Sequence, residues 1–238
     1  IDSSTPIPPL YSVETEQHLI RSLSILLALG MATTASTQVS ITLGVRETGA
    51  GGGTFTNIGD NGGFSGGIEW VNVDAQTLNL DGTWQQFTFD LANDPIAAFA
   101  GSTADGVLDG TFGTVEHIRI LNSGGIAGPI DLWIDDVANT ITVGGTPQTT
   151  NFGDFENYAD GTEVIFQEPT FSGSTAGNVL VGGTAGVDNS VASRTASDKI
   201  SFEFTDNATT RWVRLTTFNA ANQPNPLIRF DQGSVVSF

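Results

Sequence analysis

The chain has no cysteine, so it can form no disulfide, build no thiolate metal site and use no cysteine nucleophile. Cations are scarce. Eight Lys and Arg stand against 26 Asp and Glu, for a net charge of −18. Those eight, Arg21, Arg46, Arg119, Arg194, Lys199, Arg211, Arg214 and Arg229, form no run. Nucleic acid is thereby excluded as a partner, because backbone phosphates are held by clustered Lys and Arg. Only His18 and His117 offer imidazole bases. No apolar run is long enough to cross a bilayer; the longest, residues 23–31, is too short, so no membrane insertion is expected. The Lys-Glu-Ala-Leu pattern of helices is almost absent, and one turn over residues 95–100 is the only helical expectation.

What is present is glycine, 29 residues of it, with abundant Thr, Val and Phe, and 39% hydrophobic residues supply material for a core. This composition predicts an all-β fold of short antiparallel strands joined by glycine turns. Residues 1–18, with Pro6, Pro8 and Pro9, read as an extended linker or loop. Residues 19–38 have two readings. One is a signal peptide, with Arg21, an apolar run and small residues after it. The other is a strand hairpin, which the alternation of Leu23, Ile25, Leu27 and Leu29 and the proline-rich stretch ahead of it favour.

Residues 50–67 form a glycine-rich loop, and strands are predicted at 68–73, 84–91 (WQQFTFDL), 114–121 (TVEHIRIL) and 128–137 (GPIDLWIDDV). In the last, Ile130, Leu132 and Ile134 share a face, the two-residue period of an extended chain. Residues 144–150 read as a linker between a segment at 19–143 and a second at 151–238, where strands are expected at 199–204, 211–218 and 227–238. Residues 234–238 read as a strand in mid-course, so the chain is expected to be a piece of a longer protein with neighbouring domains.

Candidate chemistry is sparse. Asp135 and Asp136 place charge beside a buried row, which calls for a bound cation or a solvated sheet edge. Residues 63–67 match G-x-S-x-G, but Ser65 lies in a glycine loop before a strand, not on the strand-to-helix turn that a nucleophile elbow needs. Glu47, Glu69, Glu116, Glu156 and Glu168 show no glycosidase spacing, so no catalytic residue is assigned and the chain is not expected to be an enzyme. Exposed indoles dock sugar rings while polar neighbours bond the hydroxyls. Trp70, Trp133 and Trp212, with Arg119, are the ligand-binding candidates, Trp133 foremost because it opposes the apolar face of its strand. Trp84 precedes a core strand and is set aside. Residues 207–209 form a glycosylation sequon.

The strands at 84–91, 113–120 and 128–137 resemble the closing half of galactose-binding-like jelly-roll modules, the fold of many carbohydrate-binding modules. Residues 155–162 (FENYADGT) look like the first strand of such a module. The closing half thus precedes the opening half, and the two segments are expected either to belong to successive repeats or to close on each other as a circularly permuted jelly-roll sandwich. Residues 227–238 are also loosely similar to 19–29, as repeats would be. The resemblance implies a structural calcium between Glu156 and Asp135 or Asp136. It implies a non-catalytic, extracellular or cell-surface module that binds a polysaccharide or other glycan. The alternatives are a structural or adhesive repeat and, further off, a glycan hydrolase or lyase.

Overall fold

The computed structural model describes residues 38–48, 65–190, 195–217 and 225–238. The readings of residues 1–18, of 19–38 as hairpin or signal peptide, and of the glycine loop up to residue 64 lie outside them. Thirteen strands and no α-helix form among the described residues, and every pairing between strands is antiparallel. The chain is an all-β sandwich.

The largest sheet is built on β1 (Gln38–Thr48), which pairs with β2 (Ser65–Asn79) on one side and β5 (Phe112–Leu121) on the other. β4 (Ile96–Ala100) extends it beyond β2, while β11 (Trp212–Thr216) and β12 (Leu227–Arg229) pair with β5. A three-stranded sheet holds β6 (Pro129–Ile134), β10 (Ser197–Glu203) and β9 (Thr184–Asp188) in that order. A four-stranded sheet runs β3 (Thr88–Asp90), β13 (Val235–Ser237), β7 (Val137–Val143), β8 (Thr146–Gly153). Each sheet takes strands from both sides of Gly144.

The core follows from alternation. Ile41, Leu43 and Val45 of β1, Ile118 and Ile120 of β5 and Val213 and Leu215 of β11 turn one face of the large sheet inward. They join a single apolar cluster with Ile130, Leu132 and Ile134 of β6, Ile200 and Phe202 of β10, and Phe89, Val137 and Val236. Removing such side chains from water is worth about 1.5–3 kcal/mol each.

Several sequence expectations need correction. Residues 144–150 are not a linker: Gly144 (φ 58°) and Gly145 (φ 81°) form the two-residue turn of the β7–β8 hairpin, with Val143 opposite Thr146. Positive φ at both positions is what such a turn demands, and Pro147 is tolerated because β8 is an edge strand. Residues 95–100 are strand β4, not a helical turn. Residues 155–162 are not a strand; Phe155 has φ 57° and is fully buried, a bend stapled into the core. Residues 84–91 keep the expected burial of Phe87, Phe89 and Leu91, but the strand itself is short, Thr88–Asp90, with backbone bonds from Phe87 to Phe238 and from Leu91 to Ser234 at its two ends. Residues 227–238 split into β12 and β13, which lie in different sheets.

The stretch at 128–137 is not one strand. Its period holds through Ile134, then Asp136 adopts φ 53° and its N–H donates to Asp135 Oδ1 at 2.8 Å. The paired aspartates form the corner that carries the chain from the three-stranded sheet into the four-stranded one.

Candidate functional site

Trp133 and Trp84 face a common cleft. β6 edges the three-stranded sheet and β3 edges the four-stranded one. The cleft lies where these edges approach without pairing, between residues 131–136 and residues 83–87. Two adjoining cavities of about 380 and 480 Å³ share Leu78, Thr83, Trp84, Leu132 and Trp133, a size within the range of small-ligand sites. Both indoles are more than a third exposed, Trp84 39% and Trp133 38%.

Hydrogen bonds hold the Trp133 ring and the chain on either side of Trp84. Ahead of Trp84, the Thr83 N–H and hydroxyl donate to Asp81 Oδ1 at 3.0 and 2.6 Å, closing a turn through Gly82 at φ 80°. Behind it, Gln85 exchanges two bonds with the Asn79 backbone, 2.9 and 3.3 Å. Trp133 Nε1 donates to Asp188 Oδ2 at 3.0 Å, and Lys199 Nζ lies 5.2 Å from the ring centroid while paired with Asp131 at 3.1 Å. Asp188 is held down to a pKa of about 2 by its bonds from Ser190 and Trp133. Asp131 is lowered by the Ser201 hydroxyl, then by Lys199, despite some desolvation. The rim therefore presents fixed carboxylate acceptors beside two apolar ring faces.

Trp84 was legible in the sequence by parity. It is odd-spaced from Phe87, Phe89 and Leu91, so it belongs with the outward set of Thr88 and Asp90. Asp188 offered no such signal, because only folding brings it to Trp133.

Trp70, Trp212 and Arg119 lie together, away from Trp133, on the outward face of the large sheet. Trp70 stacks on Phe99 with centroids 4.2 Å apart and meets Trp212 edge-on at 6.0 Å. The Arg119 guanidinium sits 4.5 Å from Trp70 and 5.5 Å from Trp212. Two irregularities shape this face. Between β1 and β2 the register skips from Ile41–Gln76 to Leu43–Val71, and in the extra residues Asp74 takes φ 55° and pairs with Arg119. Between β1 and β5 it skips Glu116, which accepts two bonds from Arg46 at 3.0 Å each and one from Asn225 at 3.1 Å. Bulges re-aim side chains in this way.

Glu47 and Glu69 hold the loop after β4. Glu69 accepts the N–H groups of Asp105 and Gly106 at 2.8 and 3.2 Å, and Glu47 accepts that of Gly110. Burial pushes the Glu47 carboxyl up to about 7 and raises Glu69 too. Glu156 and Glu168 are exposed elsewhere, and Ser65 opens strand β2 instead of preceding a helix. Of the expected calcium ligands, Asp135 is buried in the corner while Asp136 and Glu156 are exposed. Among the described residues no three His, Cys, Asp or Glu side chains group as a metal centre would require, and no helix is long and apolar enough to cross a membrane.

Comparison of the chain with family models, with curated proteins and with solved structures finds no match.

Proposed function

We propose that the sandwich is a non-catalytic, extracellular accessory module of the galactose-binding-like jelly-roll kind, and that it binds a glycan in the Trp84–Trp133 cleft. The observation that supports this reading is the pair of exposed indoles on one cleft of ligand size, rimmed by ionised Asp131 and Asp188. Indole faces take the C–H faces of pyranose rings, and carboxylates accept sugar hydroxyls in strong charge-assisted bonds. The ionised Asp131 and Asp188 at the rim repel anionic chains, so neutral polysaccharides are the first to try.

The test is affinity electrophoresis and calorimetry against soluble glucans, xylans and mannans. W84A and W133A are each expected to weaken binding about tenfold or more, the loss of one stacking contact, with melting little changed. A panel without a binder overturns the reading; binding that survives the double variant moves it to another surface.

In the same proposal, Glu156 with Asp135 or Asp136 holds a structural calcium. The expected result is a melting temperature that rises with calcium and returns with chelator. A flat response removes the ion from the proposal.

A further inference from the structure

The outward face of the large sheet gathers two of the chain's few cations, Arg119 and Arg214, around Trp70, Phe99 and Trp212, with the charge of a third, Arg46, acting on His117 and Arg214. Five of the six described cations have a carboxylate partner: Arg46 with Glu116, Arg119 with Asp74, Lys199 with Asp131, Arg211 with Asp206 and Arg229 with Asp231. Arg214 makes no close ion pair among the described residues, although the Glu116 charge favours its charged form from further away. It stands directly opposite Arg119 in the β5–β11 register, with Thr216 opposite His117. Like charges placed opposite each other on one face destabilise a sheet unless something lies between them.

The four residues share a second property. Arg119 Nε, Arg214 Nε, His117 Nδ1 and Thr216 Oγ1 are all buried and all lack a hydrogen-bond partner. Trp70 Nε1 donates to His117 Nε2 at 3.0 Å, so the neutral ring carries its proton on Nδ1. Burial, reinforced by Arg214, Arg119 and Arg46, keeps that ring neutral. The face therefore holds three orphan N–H donors and a hydroxyl. Each is worth about 1–3 kcal/mol if left unsatisfied, and native proteins leave few such groups unmatched.

We propose that this face binds a carboxylate, seated between Arg119 and Arg214 and reached by His117 Nδ1–H and the Thr216 hydroxyl. Charge balance selects the class. Among the described residues Arg46 pairs with Glu116 and Arg119 with Asp74, His117 is neutral, and Arg214 leaves one positive charge. A monoanion with two acceptor oxygens matches one charge and the paired guanidinium forks; a phosphate dianion brings one charge too many. The Trp70–Phe99 stack beside it suits a ring that carries the carboxylate, as in a uronic acid. This site is separate from the Trp84–Trp133 cleft.

The experiment titrates the full chain with sodium glucuronate, sodium acetate, glucose and inorganic phosphate, following calorimetry and the fluorescence of Trp70 and Trp212, in the W84A/W133A double-variant background, which removes both cleft indoles. Saturable glucuronate binding that falls about tenfold or more in Arg214→Met, and falls also in Thr216→Val, is expected. Acetate binding as well as glucuronate identifies a free carboxylate as the ligand, and glucuronate binding far better identifies the sugar acid; either result supports the site. Preference for phosphate, glucose equal to glucuronate, or no saturable binding by a chain that melts cooperatively overturns it.

Discussion

Replacing Asp198 by Asn is expected to raise the melting temperature at pH 8 by about 5 °C or more while leaving it nearly unchanged at pH 4. Asp198 lies on β10 with its side chain on the face of Ile200 and Phe202, opposite Ile134 and Val187 in register. It is fully buried, and neither carboxyl oxygen has a hydrogen-bond partner. Burial pushes its pKa up to about 8. The Glu163 charge adds to the rise, and the Gly186 N–H, outside ordinary hydrogen-bond geometry, offsets only part of it. The folded chain thus keeps a proton that the unfolded chain releases near the ordinary aspartate value of 3.8. Below about pH 4 both states hold the proton and the acid costs little. As pH rises from about 4 towards 8 the unfolded state is favoured by roughly 1.4 kcal/mol per unit, after which the effect levels off. Summed over that window the penalty is on the order of 5–6 kcal/mol, of which Asn recovers only part because its amide is itself left unpaired. Glu47 and Glu69, also raised by burial, give slopes of the same sign, so the variant should flatten the pH dependence of melting without abolishing it. Thermal unfolding from pH 4 to 9 for both proteins decides the point; parallel curves would mean that Asp198 is ionised and paired in the native state.

That carboxylate also shows where the sequence stopped being legible. The two-residue period identified the core faces of β5 and β6 and the inward set Phe87, Phe89 and Leu91, because alternation is a local property. The same period carries Asp198 inward with Ile200 and Phe202, yet a lone aspartate in an apolar row reads as a strand end until its neighbours close over it. Corners were illegible for a related reason. Asp135 and Asp136 read as the end of one strand in the sequence, whereas the positive φ of Asp136 and its N–H bond to Asp135 place them at a bend between sheets. Of the ligand candidates, Trp70, Trp212 and Arg119 converge although they come from three strands, β2, β11 and β5; Trp133 finds its partner in Trp84, which lies in a loop between strands. Pairings over such distances are set by sheet order, and no spacing rule within one strand encodes them.

Gly44→Ala is expected to cost about 3 kcal/mol or more, despite being a single methyl in a strand. Gly44 pairs with Trp70 on one side and His117 on the other, and the Trp70–His117 hydrogen bond closes over it. A Cβ there would lie 2.2 Å from His117 Cε1 and 2.4 Å from Nε2, far inside contact distance. The imidazole would have to leave, stranding Trp70 Nε1 and disturbing the Arg119–Arg214 face it supports. Ordinary strand propensity predicts the opposite sign, since Ala is the better residue wherever the backbone is extended. The discriminating measurement is a double-mutant cycle in urea. His117→Ala removes the obstruction, so Gly44→Ala added to it should cost little or nothing, giving a coupling of at least about 2 kcal/mol. Strict additivity would show that the loss arises in the β1 backbone and not from the ring lying over the glycine.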